Sequence, residues 1–169
     1  TMSVGKTTLV NALKETKQFK DYMFRTERSK YLMEQGIPLN TDSTLKGQTI
    51  FLAERCAELI QTDIITDRTV LDVMAFTLNA KSINHQDKEA FETYASEFVR
   101  EYDYIFYISP YGIDIEDNGV RETDEHYRDL IDFTITTLIK RHGHKAGKIE
   151  KISGSTEERI QQILNITGL

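Results

Sequence analysis

The chain is poor in the residues that staple or break structure. It holds one cysteine, Cys56, so no disulfide can close within it, and a reducing cytoplasm is the expected setting. Only two prolines occur, Pro38 and Pro110, and no segment is of low complexity or internally repeated. No apolar run approaches the roughly 20 residues that span a bilayer, and no signal peptide is visible. Positive charge is scarce too: Lys+Arg 21 against Asp+Glu 27 leaves a formal charge of −6. That balance argues against a dedicated non-specific nucleic-acid binder, although a local basic groove stays open. What is there is ordinary. The 169 residues, 39% hydrophobic and 28% charged, suffice for one globular domain with a real core.

Apolar spacing predicts the elements. Residues 6–16 read as a helix with Leu9, Val10 and Leu13 on one face. Tyr22-Met23-Phe24 is a short candidate strand. Residues 27–35 look helical and stop at Gly36, with Pro38 beyond. Asn40 to Ser43 is turn-like and suited to cap the helix expected over Leu45–Gln61. Asp63 to Asp67 is a β-branched run ending in a carboxylate. Helices follow over 69–80 and about 86–101, then the apolar strand Tyr104–Ile108, a polar loop over 110–122, and a helix to about Lys140. Lys148–Ile152 is a last strand, and Ser155-Thr156-Glu157-Glu158 matches a capping box that opens the final helix. Strands alternating with helices imply an α/β fold with a mostly parallel sheet, whose ligands sit at the carboxyl ends of the strands.

The opening residues carry the most specific signal. Thr1-Met2-Ser3-Val4-Gly5-Lys6-Thr7 matches all but the first position of G-x-x-x-x-G-K-[ST]. Backbone N–H groups of such a loop, running on into Thr8, wrap a β-phosphate, and the following helix directs its positive end at it. Lys6 reaches the β- and γ-phosphates, and the Thr7 hydroxyl can ligate Mg²⁺. A loop of this kind follows a buried strand. The chain starts at Thr1, so we expect about five to ten further residues upstream, or another segment, to fill that slot in the sheet.

Further candidates lie at the other strand ends. Asp67 can hold Mg²⁺ or accept a proton, and Arg68 can grip a phosphate; an N-cap beside a solvated arginine is the alternative. Asp72 lies five residues on. Glu27, between Arg25 and Arg28, is a second candidate base, or simply a first-turn glutamate favoured by the helix dipole. Gln48 has an amide able to pair with a base edge. Arg121, in the polar loop, can close over a transferring phosphate, and Arg128 follows on the next helix. His142 and His144 lack a nearby third ligand, and Cys56 reads as a small buried hydrophobe.

The order of these motifs resembles the AAA-type P-loop kinases related to the ribosylnicotinamide kinase domain of bacterial NadR, many of them phage-encoded. It is more distantly similar to deoxynucleoside and thymidylate kinases. The likeness covers nearly the whole chain. It implies a P-loop NTPase three-layer sandwich forming one kinase domain over 1–169, with a lid over about 110–124. It also implies ATP and Mg²⁺ as cofactors, a nucleoside or nucleotide substrate, and the cytoplasm as location (the host's, if phage-encoded). A homodimer is compatible with it. Asp67 then matches the carboxylate of the family's Asp-Arg motif and Arg121 the lid arginine. Glu27 matches the acid facing the acceptor, and Gln48 a base-reading position. Ser153-Gly154-Ser155 falls where related kinases place the adenine-contacting loop. The chain departs from the pattern in lacking the leading glycine and in the Glu27–Arg28 spacing.

The leading expectation is phosphoryl transfer from Mg·ATP to a nucleoside-like acceptor. The alternatives are a kinase acting on a modified base in DNA, and a regulatory NTPase module whose hydrolysis moves a partner.

Overall fold

The structure is a computed structural model, and it describes residues 4–26, 28–110 and 125–169. Among them are seven α-helices and four strands. Helix α1 (Lys6–Lys14) buries Leu9, Val10 and Leu13, the expected face. Strand β1 (Met23–Arg25) leads to α2 (Ser29–Glu34). Gly36, at φ 80°, ends that helix, and the Ile37 N–H turns back to the Leu32 carbonyl at 3.1 Å. Helix α3 (Leu45–Glu58) is capped not by the Asn40–Ser43 turn but by Thr44, whose hydroxyl accepts the Gly47 N–H at 3.1 Å.

Strand β2 (Ile64–Thr66) runs into α4 (Val70–Asn79), which buries Val70 to Ala75 without a break. A helix apolar on every side belongs in the middle of a core, and α4 packs against α3, α5 (His85–Ala95) and α6 (Glu125–His142). The helix expected over 86–101 tightens at Ser96 into a 3₁₀ segment ending at Glu101. This change delivers Tyr102 to the core. Its hydroxyl accepts the Val70 N–H at 3.1 Å, satisfying one of the open donors at the start of α4. Strands β3 (Tyr104–Ile108) and β4 (Lys148–Ile152) follow the expected runs, and α7 (Thr156–Thr167) closes the chain.

The sheet is parallel and divided. β1 pairs with β2 in the register Met23↔Ile64, Phe24↔Ile65, Arg25↔Thr66. β3 pairs with β4 from Tyr104↔Lys148 to Ile108↔Ile152. Between β2 and β3 lies a cavity of about 660 Å³, lined by both strands and by Leu9 and Leu13 of α1. Side chains alternate across the sheet. Ile105 and Ile149 join the core under α3 to α6, whereas Ile108 and Ile152 join the second core under α1 and α7. Two apolar cores on opposite faces of one sheet make a three-layer sandwich. No described helix is long and apolar enough to cross a membrane.

Tyr102→Phe keeps the ring and strands the Val70 N–H in a dry site. We expect a loss of about 1–3 kcal/mol, read as a lower urea midpoint with an unchanged slope.

Candidate active site

The parallel strands point their carboxyl ends to one edge, and α1 begins there. Gly5, at φ 74°, sits in the left-handed region as the N-cap of α1, a conformation costly for any residue with a Cβ. Val4 behind it is 1% exposed. Lys6 begins the helix, and Thr7 and Thr8 lie exposed in its first turn. Thr1, Met2, Ser3, Glu27 and Arg121 lie outside the described residues, as does most of the loop expected to form the lid.

Two motifs far apart in sequence meet at this edge. The Thr7 hydroxyl donates to Asp67 Oδ2 at 2.9 Å across 60 residues. Asp67 follows β2 directly, and its N–H donates to the Arg25 carbonyl of β1 at 3.1 Å. The residue is 5% exposed, and Oδ1 has no hydrogen-bond partner among the described residues. A buried carboxylate oxygen left open beside a hydroxyl is a hard, oxygen-only donor set. That set fits Mg²⁺.

The neighbouring candidates are more constrained than the sequence suggested. Asp72 and Thr69 form a capping box at the head of α4, with Asp72 Oδ2 accepting the Thr69 N–H at 2.9 Å. Burial pushes the Asp72 carboxyl up, while the Arg68 and Lys6 charges and the Thr69 N–H pull it down. Arg68 lies 3.5 Å from Asp72 and over the Phe76 ring. Arg28, half-exposed, reaches Glu54 of α3 at 3.3 Å and covers the Tyr31 ring. Gln48 is 3% exposed on α3, although a lone helix glutamine is usually solvated. Arg128 stands in the first turn of α6. Lys6, Asp67, Arg68 and Asp72 line one cavity, with Thr7 bonded to Asp67 but outside the lining, which does not include Arg28, Gln48 or Arg128 either.

At the end of β4, Ser153-Gly154-Ser155 forms a tight exposed loop. Gly154 has φ 93°, and a Cβ there would fall 2.2 Å from Glu158 Oε2. Ser155 and Glu158 form the expected capping box of α7, and Gln162 bonds both the N–H and the carbonyl of Ser153. Of the other candidates, His142 meets Glu92 at 2.8 Å, and burial raises the Cys56 thiol, which disfavours a nucleophile.

Sequence reasoning passed over two groups. Arg159, which directly follows the capping-box glutamate, donates to the Val4 carbonyl at 2.8 Å. Only the unusual placement of an arginine on a half-buried helix face hints at it. The second group is on α3, where Arg55, 3% exposed, meets Glu58 at 2.8 Å. Burial pushes Glu58 up to about 7 against the pull of Arg55, with Glu54 adding to the rise.

The fold is that of a P-loop NTPase, with the phosphate loop and a strand-end aspartate joined at the sheet's carboxyl edge. The chain belongs to the AAA domain family, whose model matches residues 1–159. No curated protein sequence matches it. Among solved structures it is similar to a deoxyadenosine kinase from M. mycoides with the products dCMP and a flexible dCDP bound. The TM-score is 0.67 at 17% identity, covering 99% of this chain and 95% of that one. The same enzyme with bound dCTP matches with a TM-score of 0.64, at the same identity and coverage.

The Glu58 proton gives this site a pH signature. Its pKa is raised on folding from 4.5 to about 7. Its contribution is therefore full below pH 4.5 and is lost as pH rises through about 7. We expect the urea midpoint of the wild type to fall from pH 5 to pH 8 relative to Glu58→Gln, which lacks this proton.

Proposed function

We propose that the chain is a P-loop kinase, a single domain that moves the γ-phosphoryl group of Mg·ATP to a nucleoside- or nucleotide-like acceptor. The observation that supports this reading is the 2.9 Å contact between Thr7 and Asp67, a strand-end carboxylate beside the phosphate loop. Thr7 and Asp67 would hold Mg²⁺, which would supply positive charge to offset that of the phosphates. Lys6 and the loop N–H groups bind the β- and γ-phosphates. Ser153-Gly154-Ser155 borders the adenine.

The engagement of Asp67 with Thr7 favours a metal role for it and leaves the acceptor proton to Glu27. Arg68, held over Phe76 at the cavity, grips the acceptor's charged groups, and Arg128 on α6 and Gln48 on α3, both outside the cavity lining, complete the acceptor side. Arg28, bound to Glu54, and Asp72, locked in its capping box, order the acceptor side by their contacts. Arg121 closes from the lid over 110–124. The likeness to a deoxyadenosine kinase supports a nucleoside-type acceptor, and the NadR-like motif order adds ribosylnicotinamide to the candidates.

The test is ATP consumption with product mass spectrometry over deoxynucleosides, nucleoside monophosphates and ribosylnicotinamide. We expect one acceptor class to accelerate ADP release and to gain a phosphoryl group; ADP release that no acceptor accelerates overturns the reading. With that acceptor, Asp67→Asn should lower kcat about 100-fold and raise the Mg²⁺ concentration needed for half-maximal rate.

A further inference from the structure

We infer that Arg159 is a positioning residue for the triphosphate: it locks the peptide behind the phosphate loop and backs that loop with a buried positive charge. The inference rests on the nucleotide-site reading above and adds a residue to it.

The first support is geometric. Arg159, in the second half of the opening turns of α7, is 9% exposed, and its Nη1 donates to the Val4 carbonyl at 2.8 Å. A trans peptide points its C=O and N–H in opposite directions. Holding the Val4 oxygen therefore aims the Gly5 N–H away from Arg159. Gly5 completes the arrangement from the other side. Its position leaves a would-be Cβ only 3.5 Å from Arg159 Nη1, so the loop lies directly on the guanidinium.

The second support is electrostatic. Arg159 Nε is buried and has no hydrogen-bond partner among the described residues. A buried cation without a counter-charge is costly. The group placed to offset it is an anion in the loop it touches. Its charge then acts through low-dielectric protein, where a phosphate feels it more than it would in water.

The third support is mechanical. The same helix carries the 153–155 loop, pinned by Gln162 and by the Ser155–Glu158 box. Arg159 follows that box by one residue. The base-side loop and the phosphate loop are thus tied to one rigid element, and the spacing between the two ends of a nucleotide site is set by α7.

The alternative is that Arg159 only fastens α7 to the rest of the domain. Calorimetric Kd values for Mg·ATP and for inorganic pyrophosphate, with nucleotide-free melting curves of the same samples, separate the two. Arg159→Lys keeps the stem and the charge but loses the fork; Arg159→Met loses the charge as well. For folded protein we expect Arg159→Lys to weaken both ligands about tenfold, and Arg159→Met to weaken them further. Folded variants that bind Mg·ATP and pyrophosphate as tightly as wild type overturn the inference, whatever their melting temperature. If Arg159→Met does not fold, Arg159→Lys decides alone by the same criterion. A wild-type protein that fails to bind Mg·ATP sinks the nucleotide-site reading instead.

Discussion

The architecture turns on one hydrogen bond, from Thr7 to Asp67. It joins the first turn of α1 to the end of β2, and through the Asp67 N–H to β1 as well. Gly5, Lys6 and Arg68 lie along the same edge. The bond also explains why Asp67 tolerates burial. A carboxylate out of water needs donors or a cation, and here a hydroxyl serves one oxygen while the other has no partner among the described residues.

Much of the fold was legible because its elements are locally consistent. The faces of α1, the β3 run and the Ser155–Glu158 box each agree with propensity, period and capping at once. What was not legible depends on distant partners. The 3₁₀ tightening at Ser96 serves the Tyr102 hydroxyl and the head of α4. The cap of α3 slides to Thr44 because the preceding residues close their own short turn. Local pattern holds no information about either.

The same division runs through the site. Gly5, Lys6, Thr7 and Asp67 could be picked out singly, by motif and by position at a strand end. Their meeting could not, since 60 residues separate Thr7 from Asp67 and 155 separate Val4 from Arg159. Asp72 shows the converse. Its spacing from Asp67 invited a role on the substrate, and the same spacing from Thr69 makes it the capping-box partner of α4. A single residue can satisfy a helix terminus and border a cleft, and only the contacts rank the two.

The divided sheet has a consequence for how the domain behaves as a mechanical object. Among the described residues β2 pairs only with β1, and β3 only with β4. Among those residues backbone hydrogen bonding does not couple the two halves, one ending in Asp67 and the other leading to the 153–155 loop. Helix packing does, with α4 against α6 and α1 against α7. Side-chain packing yields to sliding more readily than a strand ladder does. Among the described residues, the alignment of the β1–β2 half with the β3–β4 half is therefore set by helix packing.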